Sequence, residues 1–160
     1  MVLERLLVAP APEPRGRSAK RALTGQPASV PQARRFVRHV LDAWDRGEYE
    51  EAGTLLVSEL VSNAVLHART NLEVEVVESE QGVLLGVSDA SPVLPVLRRH
   101  SREAATGRGL WLLDEYSASH GVARTPGGKQ VWAVLCAEVE DPAEGSDATL
   151  AAWLDELDGL

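Results

Sequence analysis

The 160-residue sequence predicts an α/β (α+β) fold: a two-layer sandwich in which an antiparallel or mixed sheet is covered by helices on one face. Three observations carry this expectation. Two consecutive stretches in the first half repeat apolar residues at the helical period, three to four residues apart. The stretches that follow alternate apolar and polar residues, the period of a half-buried strand. A Pro-Gly-Gly turn then joins the last two strand-like segments into a hairpin. The resulting order is α, α, β, β, long loop, α, β, β, which packs as helices on a sheet.

The elements follow in chain order. Residues 1–22 are rich in Pro, Arg and Ala without a sustained period, and are expected to be a flexible basic arm. Ser29 and Gln32 have the spacing of a capping box, and Pro31 suits a first helical turn. Ala33, Phe36, Val37, Val40, Leu41 and Trp44 then recur at helical spacing, with Gly47 as the expected stop. A second helix is expected from Tyr49 to His67. At about 100° per residue, Val57, Leu60, Val61, Ala64 and Ala68 gather on one side and Glu59, Ser62, Asn63 and His67 on the other.

Leu72, Val74 and Val76 alternate with Glu73 and Glu75, and Val83, Leu85 and Val87 share one face of the next strand. Asp89 has the same parity, so its carboxylate is expected on the covered side, where an ionised acid needs a partner. Residues 90–106 hold two prolines and no period and read as a long loop, a length that commonly signals function. Its Arg98, Arg99 and Arg102 are either plain loop charges or phosphate contacts. A helix from Gly109 to Tyr116, a hairpin from 120–124 to 130–137, and an acidic amphipathic helix at 147–157 complete the expectation. The last helix, with Leu150, Trp153, Leu154 and Leu157, is either docked on the domain or offered to a partner. The three parts are thus an arm (1–22), a domain (23–138) and an acidic tail (139–160).

Composition narrows the function. The formal net charge is −8, and Glu138 to Leu160 holds eight acidic residues and no Lys or Arg. Phosphate-rich nucleic acid is therefore a poor direct partner. A basic protein surface, or the chain's own Arg-rich N-terminal segment, is the better match for the tail. Cys136 is the single cysteine, which excludes an internal disulfide and fits a reducing compartment. No apolar run approaches the roughly 20 residues that cross a bilayer, and the first dozen residues are interrupted by Glu4, Arg5 and prolines. A cytoplasmic protein without a membrane partner is expected.

The chemistry concentrates in two segments. Glu59-Leu60-Val61-Ser62-Asn63 places a carboxylate and an amide one helical turn apart, and Thr106-Gly107-Arg108-Gly109-Leu110 is a glycine-rich turn opening a helix. Such a turn lets backbone N–H groups approach phosphates. By position alone, Glu59 and Asn63 fit a solvated helix face better than a site, and the isolated glycine turn reads as a simple helix cap. His67 lacks a metal-ligand spacing with His39, His100 or His120. Ser58, His67 and Asp89 lack the Gly-x-Ser-x-Gly elbow of a hydrolase.

Glu59 to Ala68, Val87-Ser88-Asp89, Thr106 to Leu110 and Gly128-Lys129-Gln130-Val131-Trp132 together resemble the motif series of the GHKL (Bergerat-fold, histidine-kinase-like) ATPases. Within them the chain is most similar to the anti-sigma regulatory factors, serine-protein-kinase-like ATP-binding domains of bacteria. The resemblance implies ATP and Mg²⁺ as ligands. It casts Glu59 as the base that takes a hydroxyl proton, Asn63 as the magnesium-holding amide, and Asp89 as acceptor of the adenine amino group. Thr106, Gly107, Arg108, Gly109 and Leu110 would wrap the phosphates, and Gln130 would lie near the base. It implies a sigma factor and an anti-anti-sigma protein as partners, a homodimer by family analogy, and serine/threonine kinase activity. The chain departs from the pattern after Asp89, where Ala90-Ser91-Pro92-Val93 stands in place of x-Gly-x-Gly. A non-catalytic interaction module on the same fold is the rival expectation.

Overall fold

The computed structural model describes residues 2–5, 7–94, 96–99 and 113–137. Among them, two helices cover one face of an antiparallel sheet. The elements are β1 (Val2–Arg5), β2 (Pro14–Leu23), α1 (Ser29–Ala43), α2 (Glu50–Asn63), β3 (Leu72–Ser79), β4 (Gly82–Asp89), β5 (Val96–Arg99), β6 (Ser117–Thr125) and β7 (Gly128–Leu135). The main sheet runs β2-β3-β4-β7-β6, and β1 pairs with β5 separately. All named pairings are antiparallel. The expected two-layer α/β sandwich is thus the observed one.

Helix α1 buries Val30, Ala33, Val37, Val40 and Leu41, the stripe its period anticipates. Its start differs from the expected capping box. The Ser29 hydroxyl donates backwards to the Thr24 carbonyl (2.6 Å) and so ties the helix to the end of β2. Its end also differs: Asp45, not Gly47, takes the left-handed conformation (φ 56°). Arg46 N–H then reaches the Leu41 carbonyl at 2.8 Å and Asp45 N–H the Asp42 carbonyl at 3.1 Å, which satisfies the last carbonyls. Asp tolerates that conformation better than most residues.

Helix α2 is buried continuously from Ala52 to Ser62. It lies between two layers. A Cβ at Gly53 would stand 3.0 Å from Val37 and 3.2 Å from Leu41 of α1, and 3.4 Å from Leu135 of β7. A π-helical turn at Ala64–Ala68 follows, closed by Arg69 at φ 56°. The inner sheet face contributes Val74, Val76, Leu85, Val87, Val122, Val131 and Ala133 to the core, all at most 8% exposed. Each such aliphatic side chain stabilises by about 1.5–3 kcal/mol when fully buried.

The segment expected to be a mobile arm is instead largely built into the sheet. Residues 14–23 form the edge strand β2, paired from Ser18↔Val77 to Leu23↔Leu72. Its Arg15, Arg17, Lys20 and Arg21 are exposed, a charge pattern that discourages further strand addition. Upstream, residues 7–11 lie along the outer face. Ala9 N–H and Val122 N–H exchange bonds with Val122 and Leu7 carbonyls at 3.0 and 2.9 Å. The Trp132 indole N–H donates to Ala9 O at 2.9 Å. Val77, Leu84, Trp132 and Val134 make a second cluster there, packed by Ala9, Ala11 and Ala123. A Pro- and Arg-rich composition does not reveal this, because the pairing depends on an open strand edge and an uncovered indole elsewhere in the chain.

The hairpin across Thr125 to Gly128 forms as expected, with β6 starting earlier, at Ser117. The anticipated helix at 109–116 is helical over its described part, 113–116. In the long loop, Val96–Arg99 forms β5. The acidic helix at 147–157 lies outside the described residues.

Candidate nucleotide site

The strand ends that meet at Asp89 form the site. Leu23, Leu72, Asp89 and Lys129, all buried, align in successive registers across the sheet, and exposed Arg124 follows on the edge strand. The Asp89 side chain is 4% exposed, in agreement with the covered position its parity predicts. Its partner is Lys129, 7% exposed, whose Nζ donates to Asp89 Oδ1 at 2.9 Å and to the Ser91 carbonyl at 3.1 Å. Ser91 N–H also donates to Oδ1, at 2.8 Å. Among the described residues, both hydrogen bonds to this carboxylate fall on the same oxygen.

The hairpin before β7 is pressed against the end of β4. A Cβ on Gly128 would fall 2.1 Å from the Asp89 carbonyl, so only glycine fits. This close approach carries Lys129 to the acid.

Helix α2 runs toward the same end of the sheet. Its start packs on Leu135, the far end of β7, and the turn that follows it leads into Leu72, the register neighbour of Asp89. Thr70 Oγ1 accepts the Ala90 N–H at 3.0 Å, which ties the connection after α2 to the residue following Asp89. Glu59 is 4% and Ser62 5% exposed, so this face is not the solvated one a surface helix would show. Asn63 Nδ2 and Ser62 Oγ are sealed from solvent and have no hydrogen-bond partner among the described residues. Buried polar groups of that kind are uncommon, and an open amide N–H and hydroxyl can donate to an acceptor such as a phosphate oxygen or a water.

Gln130 is on the opposite face from Asp89: it pairs in register with Ser88, its Nε2 donates to Glu75 Oε1 at 3.3 Å, and it packs over Gly86. A residue one step from an inward lysine must point outward, so the structure does not bring Gln130 to the Asp89 side. Thr106, Gly107, Arg108, Gly109 and Leu110 lie outside the described residues. Ser58 is fully buried, donates to the Thr54 carbonyl at 2.7 Å and accepts from Arg34 at 3.1 Å, while His67 is exposed, so the two do not form a hydrolase pair. Burial, then the neighbouring Arg38 and Arg35 charges, hold the Arg34 pKa below its ordinary value.

Lys129 is the residue that sequence reasoning did not assign. The signal was present: Val131, Ala133 and Leu135 face inward, and Lys129 shares their parity.

This fold and site define a nucleotide-binding domain with helices over an antiparallel sheet, with an acid at a covered strand end and a Glu/Asn pair on a covering helix. Residues 23–135 match the histidine kinase-like ATPase domain, and the chain belongs to that family. Comparison with curated proteins returns no match. ATP binding is the property the family implies, and the donor set fits it: an acid at the strand end, a sealed amide on α2 and a second sealed hydroxyl beside it. No helix among the described residues is long and apolar enough to cross a membrane.

Proposed function

We propose that this chain is an ATP-dependent anti-sigma factor, which sequesters a sigma factor and phosphorylates a serine on an anti-anti-sigma protein. The observation that carries the nucleotide part is the buried Asp89 carboxylate at the covered end of β4, together with the buried Glu59 and the orphaned Asn63 Nδ2 on α2. The regulatory part rests on the motif order, which resembles that of the anti-sigma regulatory factors. ATP with Mg²⁺ supplies the transferable γ-phosphoryl group and neutralises its charge.

The chain's own residues take simple roles in this reading. Asp89 accepts the adenine amino group, Asn63 holds the magnesium, and the 106–110 segment receives the phosphates. Glu59 holds the proton released by the acceptor serine hydroxyl. Differential affinity of the two protein partners for the nucleotide-bound form would drive switching.

Calorimetric titration of the full chain with a non-hydrolysable ATP analogue and Mg²⁺ tests the first half. Incubation with candidate antagonist proteins and detection of phosphoserine tests the second. Glu59→Gln is expected to abolish transfer and to leave nucleotide affinity within about twofold. Absence of measurable binding in wild type would favour the second reading, a non-catalytic interaction module. Pro92, where the family pattern has glycine nearby, is the observation behind that alternative.

A further inference from the structure

We infer that Lys129 is a specificity-determining residue for the base, and that it reads the ring nitrogen next to the adenine amino group. This rests on the nucleotide reading above. Lys129 Nζ has three protons, and two are committed, to Asp89 Oδ1 at 2.9 Å and the Ser91 carbonyl at 3.1 Å. Both side chains are buried, so neither group is placed here to be hydrated. The pair holds one carboxylate oxygen and leaves the other, Oδ2, with no hydrogen bond among the described residues.

An acceptor (Oδ2) and a donor (the third Nζ proton) thus stand side by side. Adenine presents the complementary pair on one edge, with the 6-amino group donating and N1 accepting. Hypoxanthine reverses both polarities and would leave a buried donor facing a donor. Asp89 alone recognises an amino group; Asp89 with Lys129 recognises an amino group beside a ring acceptor. The ion pair also fixes the carboxylate rotamer before any ligand arrives, which lowers the ordering cost of binding. Gly128 enforces the arrangement, because the hairpin can approach β4 only without a Cβ at that position.

The test changes the ligand first and the protein second. Full-length chain is titrated calorimetrically with ATP and with 1-deaza-ATP, which keeps the amino group and replaces N1 by C–H. Wild type is expected to bind 1-deaza-ATP about tenfold more weakly, the loss of one hydrogen bond to a charged donor. Lys129→Met is expected to bind the two ligands equally. Lys129→Arg, which keeps the charge, serves where the methionine variant fails to fold, and is expected to show a reduced preference. Equal wild-type affinity for the two ligands overturns the inference and leaves the nucleotide reading intact. So does a tenfold preference that survives in Lys129→Met. No binding of ATP by wild type overturns both.

Discussion

Lys129 Nζ and Asp89 Oδ1 lie 2.9 Å apart at the inner edge of the sheet, on adjacent strands and in direct register. Charges this well covered lose much of their hydration, and their attraction offsets that loss only while both are present. The pair is therefore a structural tie between β4 and β7.

Breaking the pair from one side should be costly. Asp89→Ala or Lys129→Ala is expected to lower the unfolding free energy by about 3–5 kcal/mol, because the remaining charge is buried alone. Replacing both by apolar residues, Asp89→Leu with Lys129→Met, should cost much less than the sum. Urea denaturation of the four proteins checks this. Additive losses would show that the two side chains do not depend on each other.

The hairpin contact makes a sharper steric prediction. Gly128→Ala places a Cβ 2.1 Å from the Asp89 carbonyl, a backbone atom that cannot swing aside. A loss of about 1–3 kcal/mol, in the range of overpacked sites, is expected. Gly127→Ala, one residue earlier, meets nothing within 4 Å and should be near neutral. Thermal melts of both variants discriminate this from a general intolerance of the turn.

Glu78 of β3 is held by Arg17 of the edge strand and by Arg46, and the Arg17 guanidinium stacks 5.3 Å from the Trp44 ring centre. The Arg17 hydrogen bond, more than that from Arg46, keeps the Glu78 carboxyl below its ordinary pKa of 4.5. A depressed carboxylate contributes stability above its unfolded pKa and loses it as pH falls through the lower folded value. Glu78→Gln should therefore weaken the protein at neutral pH and flatten the acid limb below about pH 4.5. Denaturant midpoints from pH 7 to pH 3 measure it, and an unchanged slope would remove Glu78 from this role.

The N-terminal strap should matter for the outer face. Deleting residues 1–11 removes the carbonyl that accepts the Trp132 indole N–H and uncovers the Val77, Leu84, Trp132 and Val134 cluster. Lower stability and a red-shifted tryptophan emission are expected. Trp132→Phe in the full chain removes only the hydrogen bond and the larger ring, so it isolates the bond's contribution of about 1 kcal/mol plus lost packing. A truncated chain as stable as the parent would mean the strap is not needed.

Much of the fold was legible in advance. The stripes of α1 and α2, the alternation in β3 and β4 and the Pro-Gly-Gly hairpin are local patterns, and local periodicity is what a sequence displays directly. Asp89 was legible for the same reason, since Val83, Leu85 and Val87 set its parity. Gln130 follows the motif order but not the face it implies, because strand parity rules: Val131 faces in, so its neighbour faces out. Burial of Glu59 on a helix covered from two sides was not legible, because a polar stripe looks the same whether it meets water or a second layer.

What the residues alone determined is which segments coil, which extend, and which face each strand turns to the helices, because steric periodicity acts between near neighbours. The tertiary structure decided who meets whom: that Lys129 answers Asp89 across forty residues, that Pro14 to Leu23 completes the sheet, and that residues 7–11 cover Trp132. Those choices depend on strand order and register, which arise when distant segments compete to bury the same surface and satisfy the same backbone groups.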